Sequence, residues 1–171
     1  LVEKKEPERE QIDVEAFARD CIELVRMGTN EQSSLFSCSV EADLPTLPAD
    51  PVQIRQVLVN LLKNAREAVV GRPVRNVRLD VRLRNGFVEF CVSDTGQGVP
   101  AAMVPELFKA FSGKKQKGLG LGLAISRSIA QNHGGDLMLG QRDIGRGATF
   151  ILKLPVDRSG DDGNEFSDGK I

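Results

Sequence analysis

The stretch from Phe111 to Ser126, FSGKKQKGLGLGLAIS, puts three glycines at alternate positions, Gly118, Gly120 and Gly122, at the entry to an amphipathic helix. Glycine lets a backbone pass close to a ligand, and the first turn of a helix offers unpaired N–H groups to an anion. Lys109, Lys114, Lys115 and Lys117 lie just before these glycines with no acidic residue between them, so the local field is positive although the chain carries a formal charge of −1. Together these features predict a phosphate site, with a nucleotide as its natural guest. The competing reading is a solvated loop running into a glycine-softened helix start.

Two further groups of residues could do chemistry. In DPVQIRQVLVNLLKNAREAV, Ile54, Val57, Leu58, Leu61, Leu62, Ala65 and Val69 recur at three-and-four spacing, which makes them the core face of a helix. Gln53, Asn60, Asn64 and Glu67 fall on a separate stripe, and Asn64 is nearest in angle to the apolar face. An amide oxygen at the edge of a core is a suitable ligand for Mg²⁺ that carries nucleotide phosphates, whereas the plainer reading is an ordinary polar stripe. In FVEFCVSD, Val88, Phe90, Val92 and Asp94 share one face by the period of two, so a carboxylate ends a row of core-facing apolar side chains. It needs donors there. Gly96 and Gly98 follow, allowing tight turns and room for a planar ligand, and an adenine amino group is a donor of the right shape. A turn-forming Asp-Thr-Gly is the alternative.

The elements that must position these residues read as follows. A short strand is expected near Ile12 to Val14, a helix over 15–27, a strand within SSLFSCSVE and then a loop to Ala49. Asp50 makes an N-cap with Pro51 at the first helical position and Gln53 three after the cap, a near capping box, and Gly71 closes that helix. Residues 76–84 alternate cleanly, Asn85-Gly86 is a hairpin signal, and the return strand runs from Phe87 to Asp94. A short helix near Ala101 to Phe108, a helix from Leu119 to Asn132, and strands near Asp136 to Gly140 and Ala148 to Leu154 complete the pattern. An antiparallel-rich sheet, solvated on one face and covered by helices on the other, satisfies it.

Composition sets the limits. At 171 residues, 40% hydrophobic and 27% charged, one well-buried core is expected. No apolar run reaches the roughly 18 residues needed to cross a bilayer, and LVEKKEPEREQ lacks the apolar centre of a signal peptide, so no membrane contact is expected of the folded part. Cys21, Cys38 and Cys91 are odd in number, widely spaced and set among apolar residues, which points to buried reduced thiols and a cytoplasmic compartment. His133 is the sole histidine, excluding any site that needs two imidazoles. The acidic segment 156–171 reads as a disordered tail or linker. Setting aside the nine acids and five bases of residues 1–11 and 156–171 leaves 15 acids against 18 bases, a mildly positive domain suited to small anionic ligands. With no Trp or Tyr and no basic stripe interleaved with aromatics, nucleic acid is not expected as a partner.

DPVQIRQVLVNLLKNAREAV, DTGQGVP, ELFKAFSGKKQKGLGLGLAIS and GRGATFILKLP, in this order and spacing, resemble the four ATP-site motifs of the catalytic, ATP-binding domain of sensor histidine kinases. The lysine-rich loop resembles that of the oxygen- and nitrogen-sensing bacterial subgroup. The resemblance covers about Ile12 to Pro155 and implies an α+β, two-layer α/β sandwich of the Bergerat type, a mixed, mostly antiparallel sheet with helices on one face, shared with gyrase, heat-shock chaperone and mismatch-repair relatives. It implies Mg–ATP binding, with Asn64 as the Mg²⁺ ligand, Asn60 as a phosphate contact, Asp94 as the adenine-binding aspartate and Gly96 and Gly98 shaping its pocket. Lys115, Gly118, Gly120, Leu121 and Gly122 would belong to the lid and its hinge. Phe108 and Phe111 match the family's phenylalanine motif, while Gly145 and Gly147 match a turn near the base. Thr149 has the opposite strand parity from Phe150 and Leu152 and is not assigned as a ligand.

Three departures carry weight. Related ATPases place a glutamate four residues before the magnesium asparagine as general base for water; here Asn60 stands there, and an amide cannot accept the proton. Many histidine kinases have a lysine and a tyrosine just after the asparagine, where this chain has Glu67 and Ala68. His133 lies in NHGG without the adjacent acid of a phosphoacceptor site, so it reads as structural, at a helix end that favours a cation. The resemblance thus implies γ-phosphoryl transfer to a histidine on a separate dimerisation domain, a response regulator downstream, a homodimeric parent with a cytoplasmic kinase region, and a monomeric isolated domain. Residues 1–11 would be a linker or the end of the phosphoacceptor region, 12–155 the catalytic domain. An anti-sigma-factor-like serine kinase or an ATP-driven clamp of the same superfamily is the alternative, and GQGVPA after a strand loosely fits a dinucleotide-binding pattern.

Overall fold

The computed structural model describes residues 6–28, 34–109, 119–140 and 146–157. Strand β1 (Glu10–Ile12) precedes helix α1 (Val14–Met27), whose N-cap Asp13 accepts from Ala16 N at 3.1 Å. Then come β2 (Phe36–Val40), β3 (Leu47–Ala49), α2 (Pro51–Ala68), β4 (Val77–Arg84), β5 (Phe87–Asp94), a 3₁₀ turn over Ala101–Glu106, α3 (Leu119–Asn132), β6 (Asp136–Leu139) and β7 (Thr149–Pro155). A five-stranded sheet has the order β2-β4-β5-β7-β6; β2 and β4 run parallel and the other neighbours antiparallel, while β1 and β3 form a separate antiparallel ribbon.

The α2 periodicity is realised in full: Ile54, Val57, Leu58, Leu61, Leu62 and Ala65 are all buried. They pack on the inward row of β5, where Val88, Phe90 and Val92 are buried, and Phe17 of α1 meets Phe90 edge to face at 6.3 Å between ring centroids. The opposite sheet face is polar, with Arg82 paired to Glu89 at 2.9 Å and the Lys153 ammonium 4.9 Å from the Phe87 ring centroid. Asn85 (φ 51°) and Gly86 (φ 80°) both take positive φ, as the tight β4–β5 turn requires.

Three local expectations are corrected. The first strand covers Glu10–Ile12 rather than Ile12 to Val14, because Asp13 is committed to capping α1. Leu47–Ala49 is a strand rather than loop: Pro48 pairs with Gln11 in a two-stranded ribbon, where a missing N–H is tolerated. The capping box is not closed by Gln53. Asp50 accepts from Val52 N at 3.0 Å and Gln53 N at 3.3 Å, but the Asp50 N–H donates to His133 Nε2 at 3.1 Å. Nε2 therefore holds a lone pair, and Nδ1 is left to donate to Ile129 O at 2.8 Å. His133, 3% exposed, bridges the end of α3 and the start of α2. Cys21 and Cys91 are buried and Cys38 half-buried; all three are free thiols.

Candidate nucleotide-binding site

Asn60, Asn64 and Ala68 follow one another at four-residue intervals along one edge of α2, a line of about 12 Å at 1.5 Å per residue. At the Ala68 end stands Asp94, 8% exposed at the tip of β5. Its Oδ1 accepts from Gly96 N at 2.8 Å and Ala148 N at 3.4 Å, while Oδ2 has no partner among the described residues. Burial pushes the Asp94 carboxyl above the ordinary carboxylate range; the N–H groups of Gly96 and Ala148 and the charge of Arg72 oppose this without cancelling it.

The glycines around Asp94 leave space that no side chain could occupy. A Cβ at Gly96 would sit 2.6 Å from Ala68 O and 2.9 Å from Asp94 Oδ1. Gly98 (φ 79°) lies with Gly147 (φ 85°) across it, and a Cβ at Gly147 would fall on the Asp94 carbonyl oxygen. Three backbone segments thus close around one carboxylate whose free oxygen can accept from a planar donor. Thr95 anchors the turn by donating to Val74 O and accepting from Asn76 N, both at 2.9 Å.

At the other end of the line, Asn60 Nδ2 donates to Ser126 Oγ of α3 at 3.3 Å, and Gly122 lies against the same amide. Midway, Asn64 Nδ2 is buried and without a hydrogen-bond partner among the described residues. No group of three His, Cys, Asp or Glu side chains stands together among the described residues, so a divalent cation here would share amide oxygens with phosphate oxygens. The amide oxygens of the two asparagines fit Mg²⁺ held in that way, and the orphaned Asn64 nitrogen is a donor left for a phosphate oxygen.

The structure brings Asn60, Asn64, Asp94, Gly96, Gly98 and Gly122 around one edge of α2. Gly120 and Leu121 are placed in the first turn of α3; Lys115, Gly118, Phe111, Gly145 and the other loop lysines except Lys109 lie outside the described residues. Phe108 packs edge to face on Phe150 at 6.5 Å, with Arg127 4.9 Å above its ring. Thr149 faces the other side of the sheet, sharing a 2.9 Å hydrogen bond with Ser93. Sequence reasoning missed Ser126 and the Ala148 N–H. Ser126 had a signal, since it lies one helical turn beyond Gly122; Ala148 had none, because a backbone donor leaves no trace in residue type.

An α/β sandwich that lines up two amides and a buried carboxylate beside a glycine-rich helix start defines a nucleotide-binding domain. Residues 49–158 match the family described as histidine kinase-, DNA gyrase B- and HSP90-like ATPase, and the chain belongs to that family. It is 34% identical over 162 residues to the C4-dicarboxylate transport sensor protein DctS of Rhodobacter capsulatus, covering 94% of this chain and 24% of the relative. It is 40% identical over 130 residues to the sensor protein FixL of Bradyrhizobium diazoefficiens, covering 75% and 26%. Among solved structures, full-length ShkA in complex with AMPPNP superposes with a TM-score of 0.75 at 31% identity, over 88% of this chain and 32% of that one. The nucleotide-free catalytic domain of the histidine kinase ThkA gives 0.72 at 26% identity, over 87% and 96%. The chain therefore spans about a quarter of the length of the sensor proteins it matches and nearly all of an isolated histidine-kinase catalytic domain. No helix among the described residues is long and apolar enough to cross a membrane.

Proposed function

We propose that this domain binds Mg–ATP along the α2 edge and transfers its γ-phosphoryl group to a histidine on a separate dimerisation domain of a sensor histidine kinase, in the cytoplasm, with a response regulator as the later acceptor. The observation that carries this reading is the line of polar groups along α2: Asp94 Oδ2 for the adenine amino group at one end, and the amides of Asn64 and Asn60 for the cation and phosphates about one and two helical turns away. Bound Mg²⁺ would offset charge on the transferring phosphates. The chain's own residues orient the nucleotide, and Asn60, unlike a carboxylate, takes no proton from water, so hydrolysis is slow while transfer to a positioned imidazole is not penalised. Lys115 and the glycines Gly118 and Gly120 complete the phosphate end in this reading, and the isolated domain is monomeric within a homodimeric parent.

The test combines this chain with the helical dimerisation domain of the proposed parent kinase and γ-labelled ATP. Label on the helical domain in acid-labile, base-stable form is expected, unaltered by His133→Gln. Acid-stable label would mark a serine kinase, and rapid phosphate release by this chain alone would mark an ATPase; either result overturns the proposal.

A further inference from the structure

A carboxamide has two nearly isosteric ends with opposite chemistry: its oxygen takes a cation or a donor, its nitrogen an anion or an acceptor. What Asn60 can do for a nucleotide therefore depends on which end is held. Ser126 is 3% exposed and faces Asn60 from α3, where its Oγ accepts from Nδ2 at 3.3 Å. A helical serine commonly bonds the carbonyl four residues back; this hydroxyl instead reaches across the helix interface. Gly122, one turn earlier, presses the same amide, since a Cβ there would stand 2.8 Å from Nδ2, 2.9 Å from Oδ1 and 3.2 Å from Cγ. The amide is thus pinned on its face by backbone and at its nitrogen by a hydroxyl, while Oδ1 has no partner among the described residues.

We infer that Ser126 is a positioning residue that holds the Asn60 amide with its oxygen free, so that Asn60 meets the nucleotide through the cation and its waters rather than by donating to a phosphate oxygen. This rests on the nucleotide reading given above. It replaces the direct phosphate contact that the family resemblance implies for Asn60. It also gives Gly122 a second duty: besides softening the start of α3, it provides the flat surface against which the amide lies. Because Gly122 and Ser126 share one face of α3, any displacement of that helix start changes the hold on Asn60.

The test uses the full 171-residue chain, isotopically labelled, and ATP with either Mg²⁺ or EDTA. In the nucleotide-free chain the Asn60 side-chain amide pair, identified by its loss in Asn60→Ala, exchanges with solvent several-fold faster in Ser126→Ala. The factor by which Mg²⁺ tightens ATP binding falls roughly 3- to 10-fold in Ser126→Ala, the loss expected of one hydrogen bond, and is retained in Ser126→Thr. Binding in EDTA is unchanged in both. In the Asn60→Ala background, Ser126→Ala has no further effect on that factor. Should Ser126→Ala fail to fold, Ser126→Cys, which keeps the volume but accepts poorly, provides the same readouts. A loss of affinity equal with and without Mg²⁺ marks a merely structural serine and overturns the inference. So does an unchanged magnesium factor in Ser126→Ala where Asn60→Ala lowers it. If neither Asn60→Ala nor Asn64→Ala moves the factor, the nucleotide reading itself has failed.

Discussion

Asp94→Asn separates what the carboxylate contributes to folding from what it contributes to binding. The two hydrogen bonds it accepts, from Gly96 N at 2.8 Å and Ala148 N at 3.4 Å, both reach Oδ1, and an asparagine oxygen takes them over unchanged. Only the Oδ2 edge is altered, where a charged acceptor becomes an N–H donor. A hydrogen bond to a charged group contributes about 1.5–3 kcal/mol, so ATP affinity falls roughly 10- to 150-fold, and the preference for ATP over GTP blurs because the new edge no longer favours an amino group. The effect on stability has the opposite sign. Burial raises the Asp94 pKa above its ordinary 3.8, so the stability associated with the protonated form is fully present below that value and is lost as the pH rises through the raised one. The nucleotide-free variant therefore unfolds at a higher temperature than the wild type near neutrality, and the difference closes as the pH falls below the ordinary aspartate range. Thermal unfolding across pH and calorimetric titration with both nucleotides measure the two effects. A variant less stable at pH 7, or one with unaltered ATP selectivity, would refute the reasoning.

Gly147→Ala forces a side chain into φ 85° and onto the Asp94 carbonyl oxygen. It should lose about 1–3 kcal/mol in urea unfolding and weaken ATP binding as well, because the Asp94 pocket must shift; a neutral result would mean that Gly147 does not press on Asp94. Asp50→Ala removes the acceptor for Val52 N, Gln53 N and Glu8 N and should cost about 1–2 kcal/mol at pH 7. Burial works against the Asp50 charge, but those three N–H groups outweigh it and hold its pKa below the ordinary 3.8. Its contribution is accordingly present above that value and lost as the pH falls through the lowered one, so wild type and variant should converge in acid.

The parts of this molecule legible in its residues are those governed by periodicity and backbone geometry. The α2 core face, the alternation that turns Asp94 inward and the positive-φ turn at Asn85-Gly86 follow from helix and strand repeats alone. The strand at Leu47–Ala49 was hidden by Pro48, which reads as a breaker unless its partner strand is known to form only a ribbon. The Asp50 N-cap was legible, yet its completion by His133 was not, since a residue 83 positions away supplies what Gln53 could have supplied locally. The same limit applied at the site. The stripe carrying Asn60 and Asn64 and the inward place of Asp94 follow from spacing, and the part Asn60 would play is implied only by the family resemblance; the Ala148 N–H and the partner of Ser126 are contacts that the folded chain creates.

In the proposed complex one nucleotide lies along α2, with its base at Asp94 and its phosphates and their cation at the asparagines. Titrating the ¹⁵N-labelled chain with Mg–ATP while recording backbone and side-chain amide spectra tests it most directly. The side-chain amides of Asn60 and Asn64 and the backbone amides of Gly96, Gly98, Gly122 and Ala148 should shift together along one binding curve. Saturable shifts confined to other residues, or none at all, would contradict it.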